Sequence, residues 1–371
     1  MTGEYLEKRL VKKFDFPIMA LTMLIASIGA LAIYSANLQS ESPMLQGMYI
    51  RQVAWAVFGL MVMFVVMFLD YRTIERMAWP IYWFGIGSLA LVEVAGKIVG
   101  GAQRWLSIGG LNIQPSEFMK IAVIIAVTRI LDDMEKEGDL TLKELIKPAF
   151  FAVIPFLLVA KQPDLGTATI YLIITAGILF FHGINKGTLI KMGTVGAALI
   201  PLSWYVLKPY QKNRILTLLN PEADPMGQGY HIIQSKIAVG SGGLWGKGIF
   251  AGTQSKLNFL PEKHTDFIFS VISEEVGFIG SFIILALFFF LIMRIIEVAL
   301  HSRDKCGALL VSGVATMVGF HFLYNIGMTL GMFPIVGVPL PFISYGGSAM
   351  ITNAIGVGLA LNVSYRRFSV D

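Results

Sequence analysis

Two uninterrupted apolar blocks, Trp55 to Leu69 and Phe278 to Met293, restrict what this chain can fold into more than any other feature. A run of roughly 17–25 apolar residues crosses a bilayer as a helix, which satisfies its own backbone hydrogen bonds in hydrocarbon. Similar runs recur along the 371 residues, of which 55% are hydrophobic and only 14% charged, where a soluble domain carries about a quarter. The expected fold is an all-α polytopic membrane protein, with residues 1–371 forming one integral-membrane domain.

Hydropathy places ten spans near 15–36, 52–69, 78–96, 114–131, 146–160, 165–181, 188–207, 267–293, 307–329 and 346–363. The fifth is short and carries Pro155 at its centre. Loop charge argues that it spans nonetheless. With ten spans, most of the 29 Lys and Arg fall on one side, and the short opposite loops hold Arg51, Lys97, Arg104, Lys120 and Lys161. The positive-inside rule then puts both termini in the cytoplasm. The first span follows a basic stretch (Lys8, Arg9, Lys12, Lys13) without a small-residue cleavage site, so it reads as a span rather than a signal peptide. The single cysteine, Cys306, excludes an intramolecular disulfide and offers no metal-site spacing. A net charge of +5 suits a chain facing anionic lipid and gives no reason to expect nucleic acid.

One long outward loop, about 208–265, joins spans seven and eight. Within it Tyr230, Ile233 and Ile237 recur at helical spacing, which predicts a short helix lying on the membrane surface. The run GSGGLWGKG after it reads as a flexible loop in preference to a phosphate cradle, because no strand precedes it.

Charges near the bilayer are costly and point to cavities or partners. On a helix, Asp266, Ser270, Ser273, Gly277 and Ser281 form one small, polar stripe, suited to a wet groove or to a close helix contact. Asp266 also fits a helix cap, and Glu274 and Glu275 fit structural pairs with a basic neighbour. Glu117 and Lys120 in QPSEFMK are three apart and face each other, as an ion pair or as a cavity wall. Arg104 in GGAQRWL suits phosphate or an interfacial anchor, and Asp164 in QPDLGT suits a cap. GMFPIVGVPLPFISYGGS implies irregular backbone at membrane depth, tolerated where it is buried or lines a cavity. All of these fall at the outer face, which favours one shared site.

GAQRWL, QPSEFMKIA, QPDLGT, YQKNRI, GYHIIQSKIAVGSGGLWGKG, LPEKHTDFIF and PLPFISYGGS, in this order, resemble the SEDS family of bacterial cell-wall polymerases, and its elongation branch more than its division branch. The resemblance covers nearly the whole chain. It implies a peptidoglycan glycosyltransferase of the bacterial cytoplasmic membrane that polymerises lipid II. The family's essential aspartate falls on Asp266 and its Glu–Lys pair on Glu117 and Lys120; Arg104, Asp164 and Arg214 join them as candidate substrate contacts. The resemblance also implies a class B penicillin-binding protein as partner, within the elongation machinery. No cofactor is required by these residues, but a divalent cation, Mg or Mn, would suit the pyrophosphate. The rival readings are a lipid II flippase, which the ten helices and the Pro-broken fifth span would suit, and a non-catalytic scaffold for the penicillin-binding protein.

Overall fold

The computed structural model describes residues 15–38, 42–99, 102–134, 138–225, 227–253 and 262–367. The basic stretch Lys8 to Lys13 and the part of the long loop from 254 to 261 lie outside the described residues. Among the described residues, ten helices of 18 residues or more lie at the positions of the expected spans: α1 (Phe16–Asn37), α3 (Met48–Phe68), α5 (Ala78–Ala95), α6 (Pro115–Asp132), α7 (Leu142–Lys161), α8 (Leu165–His182), α9 (Lys186–Val206), α12 (Ile268–Leu300), α13 (Lys305–Thr329) and α14 (Gly347–Arg366). Shorter helices α2 (Pro43–Gln46), α4 (Tyr71–Arg76), α10 (Pro209–Leu219) and α11 (Gln228–Ser241) lie in the connections. Among the described residues, seven helices are long and apolar enough to cross a membrane; α6, α7 and α9 fall below that standard.

Several helix starts have a local cause. Asp15 and Asp304 accept backbone N–H bonds at the starts of α1 and α13, and Pro115 occupies the first turn of α6, where a missing N–H costs nothing. The fifth span is longer than its apolar core. A capping box between Thr141 and Glu144 starts α7 one polar turn early, and its 20 residues run straight through Pro148 and Pro155.

The centre of the bundle is α6, α13 and α14, whose faces are buried on nearly every side. Around them α14 packs along α3, α12 along α13 and α1, and α8 along α13 and α7. The lipid-facing helices keep large apolar side chains outward, as at Phe84, Phe180 and Phe282. In α9, residues 189–199 are exposed throughout.

The expectation of an all-helical chain needs one correction. A three-stranded antiparallel sheet, β1 (Lys97–Val99), β2 (Ala102–Ile108) and β3 (Leu111–Ile113), fills the connection between α5 and α6. Gly109 and Gly110, both at positive φ, make the two-residue turn between β2 and β3, the turn whose twist suits a hairpin.

The glycine-rich run after α11 is not a flexible loop. The α12 helix breaks at Gly277 (φ 68°, ψ −164°), and the run supplies the backbone partners the break leaves open. Lys247 N and Gly248 N donate to the carbonyls of Glu274 and Glu275, both at 3.0 Å. Phe278 N and Ile279 N donate to Gly243 and Leu244 carbonyls at 2.9 and 3.2 Å. This is how irregular backbone survives inside a membrane bundle: the chain pairs it with more chain. Two backbones meet so closely that a Cβ on Gly277 would lie 2.2 Å from Gly246 N. The helix predicted from Tyr230, Ile233 and Ile237 is α11, packed on α12 through Ser235 and Ser270, with Oγ atoms 2.7 Å apart. From Ser270 onward the stripe is packed: Ser270 meets Ser235 of α11, and Ser281 Oγ donates to Ser273 Oγ across the break within α12 at 2.9 Å, while Asp266 at its start faces a cavity.

Candidate active site

A cavity of about 960 Å³ opens between the β2–β3 hairpin, the N-termini of α6 and α8, and the irregular stretch that precedes α14. Arg104, Glu117, Asp164 and Asp266 all line it. Four of the six residues singled out in the sequence therefore share one chamber. Lys120 lies directly behind its wall, and Arg214 lines a neighbouring apolar cavity of about 300 Å³ beside Tyr324 and Val336.

Asp266 does not cap α12. Phe267 holds the N-cap position and makes no side-chain cap bond. The Asp266 carboxyl instead sits half-buried on the cavity wall against Gly337, with Oδ2 3.5 Å from where a Cβ of that glycine would be. Burial is the main reason that its pKa is pushed up to about 7; the carboxylates of Glu262 and Asp164 push the same way, and Arg214 and Arg104 oppose them. Its backbone is fixed from two sides. Asn325 Nδ2 donates to the Asp266 carbonyl at 3.0 Å and to the Val338 carbonyl at 2.8 Å. Ser344 Oγ donates to the Thr265 carbonyl at 2.7 Å, and Tyr345 N donates to that of His264 at 2.9 Å. The Pro/Gly-rich stretch is irregular, as its composition predicts, because it clasps the residues around Asp266.

Glu117 and Lys120 form a buried ion pair at 2.7 Å, with side-chain exposures of 4% and 1%. The two readings of this pair were not exclusive: it is an intrahelical salt bridge, and Glu117 is also part of the cavity wall. Asp164 caps α8 by accepting from Thr167 N at 3.2 Å, and also takes Gln114 Nε2 at 3.5 Å. Arg104 fastens the sheet to the α7–α8 turn: Nε donates to the Gln162 carbonyl at 3.2 Å, Nη2 to that of Pro163, and Nη1 lies 3.7 Å from Asp164. Two of its five N–H donors are thus bonded to backbone carbonyls. Arg214 keeps a buried Nε with no partner among the described residues.

Glu274 and Glu275 are structural. Glu274, fully buried, accepts from Lys247 Nζ at 2.7 Å and from Thr253 N and Oγ1 at 2.8 Å; Glu275 accepts from the Ser35 hydroxyl on α1. The basic partner of Glu274 comes from the glycine run, not from a neighbouring helix. His321, Asn325 and Ser344 are site-building residues that motif reading passed over. The available signal was a polar pair four residues apart, His321 and Asn325, inside an otherwise apolar helix.

Among the described residues, the one group of three side chains with metal-ligand proximity is Glu75, Asp132 and Cys306, at the opposite end of α6. There Arg129 already forks onto Glu75 at 2.8 and 3.1 Å, so the group forms part of an ion-pair network.

The family described as "Cell cycle protein", FtsW/RodA/SpoVE, matches residues 16–368. The chain belongs to this family. Within it, "Peptidoglycan glycosyltransferase MrdB" of Escherichia coli (strain K12) is 41% identical over 353 residues, which are 95% of this chain and 94% of that protein. "Peptidoglycan glycosyltransferase RodA" of Treponema pallidum (strain Nichols) is 33% identical over 96% of this chain and 99% of its own length. Among solved structures, a chain of a peptidoglycan synthase complex, described for its coordination of polymerization and crosslinking, matches with TM-score 0.81 at 33% identity, covering 96% of this chain and 99% of that one. The crystal structure of the rod shape determining protein RodA of Thermus thermophilus matches with TM-score 0.70 at 28% identity, covering 96% and 98%. Together with its apolar helices, family membership makes this a multi-pass membrane protein.

Proposed function

We propose that the protein is a peptidoglycan glycosyltransferase that polymerises lipid II at the outer face of the bacterial cytoplasmic membrane during cell elongation. The observation that carries this reading is Asp266, whose carboxyl caps no helix and sits on the wall of a large cavity with a pKa pushed up to about 7. In the reaction, the 4-hydroxyl of one lipid-linked disaccharide attacks the anomeric carbon of another. The new C–O bond forms as the bond from that carbon to the diphosphate oxygen breaks, with inversion. The hydroxyl proton passes to Asp266, and the electron pair leaves with undecaprenyl pyrophosphate. A base with a pKa near the working pH suits this transfer. Because the diphosphate leaves readily, the second carboxylic acid of a glycosidase is dispensable. Glu117, held by Lys120, would orient the acceptor sugar.

The leaving diphosphate needs positive charge. Among the described residues, four carboxylates (Glu117, Asp164, Glu262, Asp266) line the cavity against two guanidiniums, Arg51 and Arg104, and Arg104 already gives two of its donors to backbone carbonyls. Arg214, whose Nε has no partner among the described residues and lies beside the apolar cavity, is suited to the diphosphate and the start of the lipid tail. The excess of carboxylate also suits a divalent cation. Among the described residues no three cavity carboxylates converge to ligand distance, which fits an ion bound by one or two of them together with substrate phosphates. When bound, such an ion would neutralise charge on the leaving group.

Ten spans with both termini cytoplasmic fit the placement of the basic residues. Arg72, Arg129, Arg294 and Arg366 engage Asp304, Glu75, Asp15 and the Phe68 carbonyl at the helix ends remote from the cavity. We take the crosslinking partner to be a class B penicillin-binding protein of the elongation machinery, an extension from the synthase complex matched above. The test is lipid II polymerisation by the purified protein with that partner, comparing wild type with Asp266→Asn. Loss of glycan strands with folding and partner binding intact supports the polymerase. Strands formed at the wild-type rate would sink it and direct attention to transport or scaffolding.

A further inference from the structure

Behind the cavity wall, three titratable side chains from two helices form an unbroken chain. Glu117 on α6 lines the cavity; Lys120 Nζ lies 2.7 Å from Glu117 Oε2; and His321 on α13 lies beyond it, with Nε2 2.9 Å from the same Nζ. His321 Nδ1 is 2.7 Å from the Met317 carbonyl, one turn earlier on α13. A carbonyl can only accept, so Nδ1 carries the ring hydrogen and Nε2 presents its lone pair to Lys120. The imidazole is thereby defined as a neutral acceptor. Lys120 and His321 are each 1% exposed, so no water replaces either contact.

An ammonium enclosed this deeply needs acceptors on more than one side. Glu117 gives one, from the same helix and three residues away, where the side chains can swing together. His321 gives the other from a different helix, and so fixes the direction in which Nζ points. Without it, Lys120 would be tied to its own helix alone, and the Glu117 carboxylate with it. We infer that His321 is a positioning residue for substrate binding: by accepting from Lys120 across the α6–α13 contact, it holds Glu117 in the orientation that the cavity presents to the incoming sugar. The inference rests on the polymerase reading given above. The competing account is a core histidine that only fills space.

The test compares variants that keep or remove the acceptor, using full-length protein with its penicillin-binding partner and lipid II as substrate. His321→Phe keeps a ring and removes the acceptor; His321→Gln keeps an acceptor. The expected result is a rise in KM for lipid II of about fivefold to tenfold in His321→Phe, with kcat within about threefold of wild type. His321→Gln should restore KM to within about twofold. In a Glu117→Gln background, where the lysine has lost its anion, His321→Phe should change KM by less than about twofold. A space-filling role predicts the reverse order, with Phe tolerated as well as Gln and any effect undiminished in the Glu117→Gln background. Either result overturns the proposal. Should His321→Phe fail to fold, His321→Asn, too short to reach Nζ, replaces it in the same comparison with Gln. A wild type that makes no glycan at all overturns the polymerase reading itself, whereas an active wild type with an equally active His321→Phe overturns only the role of the histidine.

Discussion

Asn325 Nδ2 donates at 3.0 Å to the backbone carbonyl of Asp266, while the same amide donates at 2.8 Å to Val338. One fully buried side chain on α13 thus fixes the carboxyl-bearing residue and the irregular stretch opposite it. Asn325→Leu removes both bonds and strands two carbonyls, each costing about 1–3 kcal/mol when buried without a partner. Expected outcomes are a melting temperature lower by several degrees and polymerisation reduced by about tenfold or more, beyond what the stability loss explains. Unchanged activity in Asn325→Leu would mean that Asp266 is placed by other contacts.

The raised pKa of Asp266 gives two pH effects. In the base role proposed for it Asp266 must be ionised, so the polymerisation rate should rise through about pH 7 and level off above it. For stability the sign runs the other way. The folded pKa lies above the ordinary value of 3.8, so the fold favours the protonated form; stability from this residue is lost as pH rises from about 4 through about 7. Asp266→Asn should therefore raise the melting temperature at pH 8, with a gain that shrinks as pH falls toward 4. A gain independent of pH would contradict this.

Gly277→Ala should be strongly destabilising. The residue sits at positive φ, which costs a Cβ-bearing residue roughly 1–2 kcal/mol, and the new Cβ would meet Gly246 N at 2.2 Å. Backbone cannot rotate aside as a side chain can. A yield and melting temperature like those of wild type would show that the clasp opens cheaply.

Chelation tests the divalent cation directly. With EDTA in excess, polymerisation should fall by about tenfold or more and recover on adding Mg or Mn. A rate indifferent to chelation would leave Arg214 to meet the diphosphate without an ion, and Arg214→Ala should then show the loss.

Much of this architecture was legible in the sequence because hydrocarbon imposes such a narrow grammar on a chain. Among the described residues, ten long helices lie where hydropathy puts the expected spans, and seven of them are apolar enough to cross a membrane; the fifth is longer than its apolar run because its first turn is polar. Glu117, Asp164, Arg104 and Asp266 stood out because charge near lipid is costly, and they do converge. What stayed hidden depends on contacts distant in sequence. The sheet holding Arg104 has strands of three and seven residues, too short to show a period. The glycine run looks flexible until its partner, the break at Gly277, is in place. Asn325 and His321 sit inside an apolar helix, where only the cost of burying them marks them as purposeful.

Because α12 is broken at Gly277, it is mechanically two pieces. The stretch from Phe278 to Leu300 packs along α13 and α1 and turns Phe278, Phe282, Phe289 and Phe290 outward. The stretch from Ile268 to Val276, which follows directly on Asp266, is moored to the protein's own outer loop by the glycine clasp, Lys247 and Thr253. Because the same clasp also bonds Phe278 N and Ile279 N, the joint is braced on both sides, and the placement of Asp266 rests on the outer loop as much as on the helix that follows it.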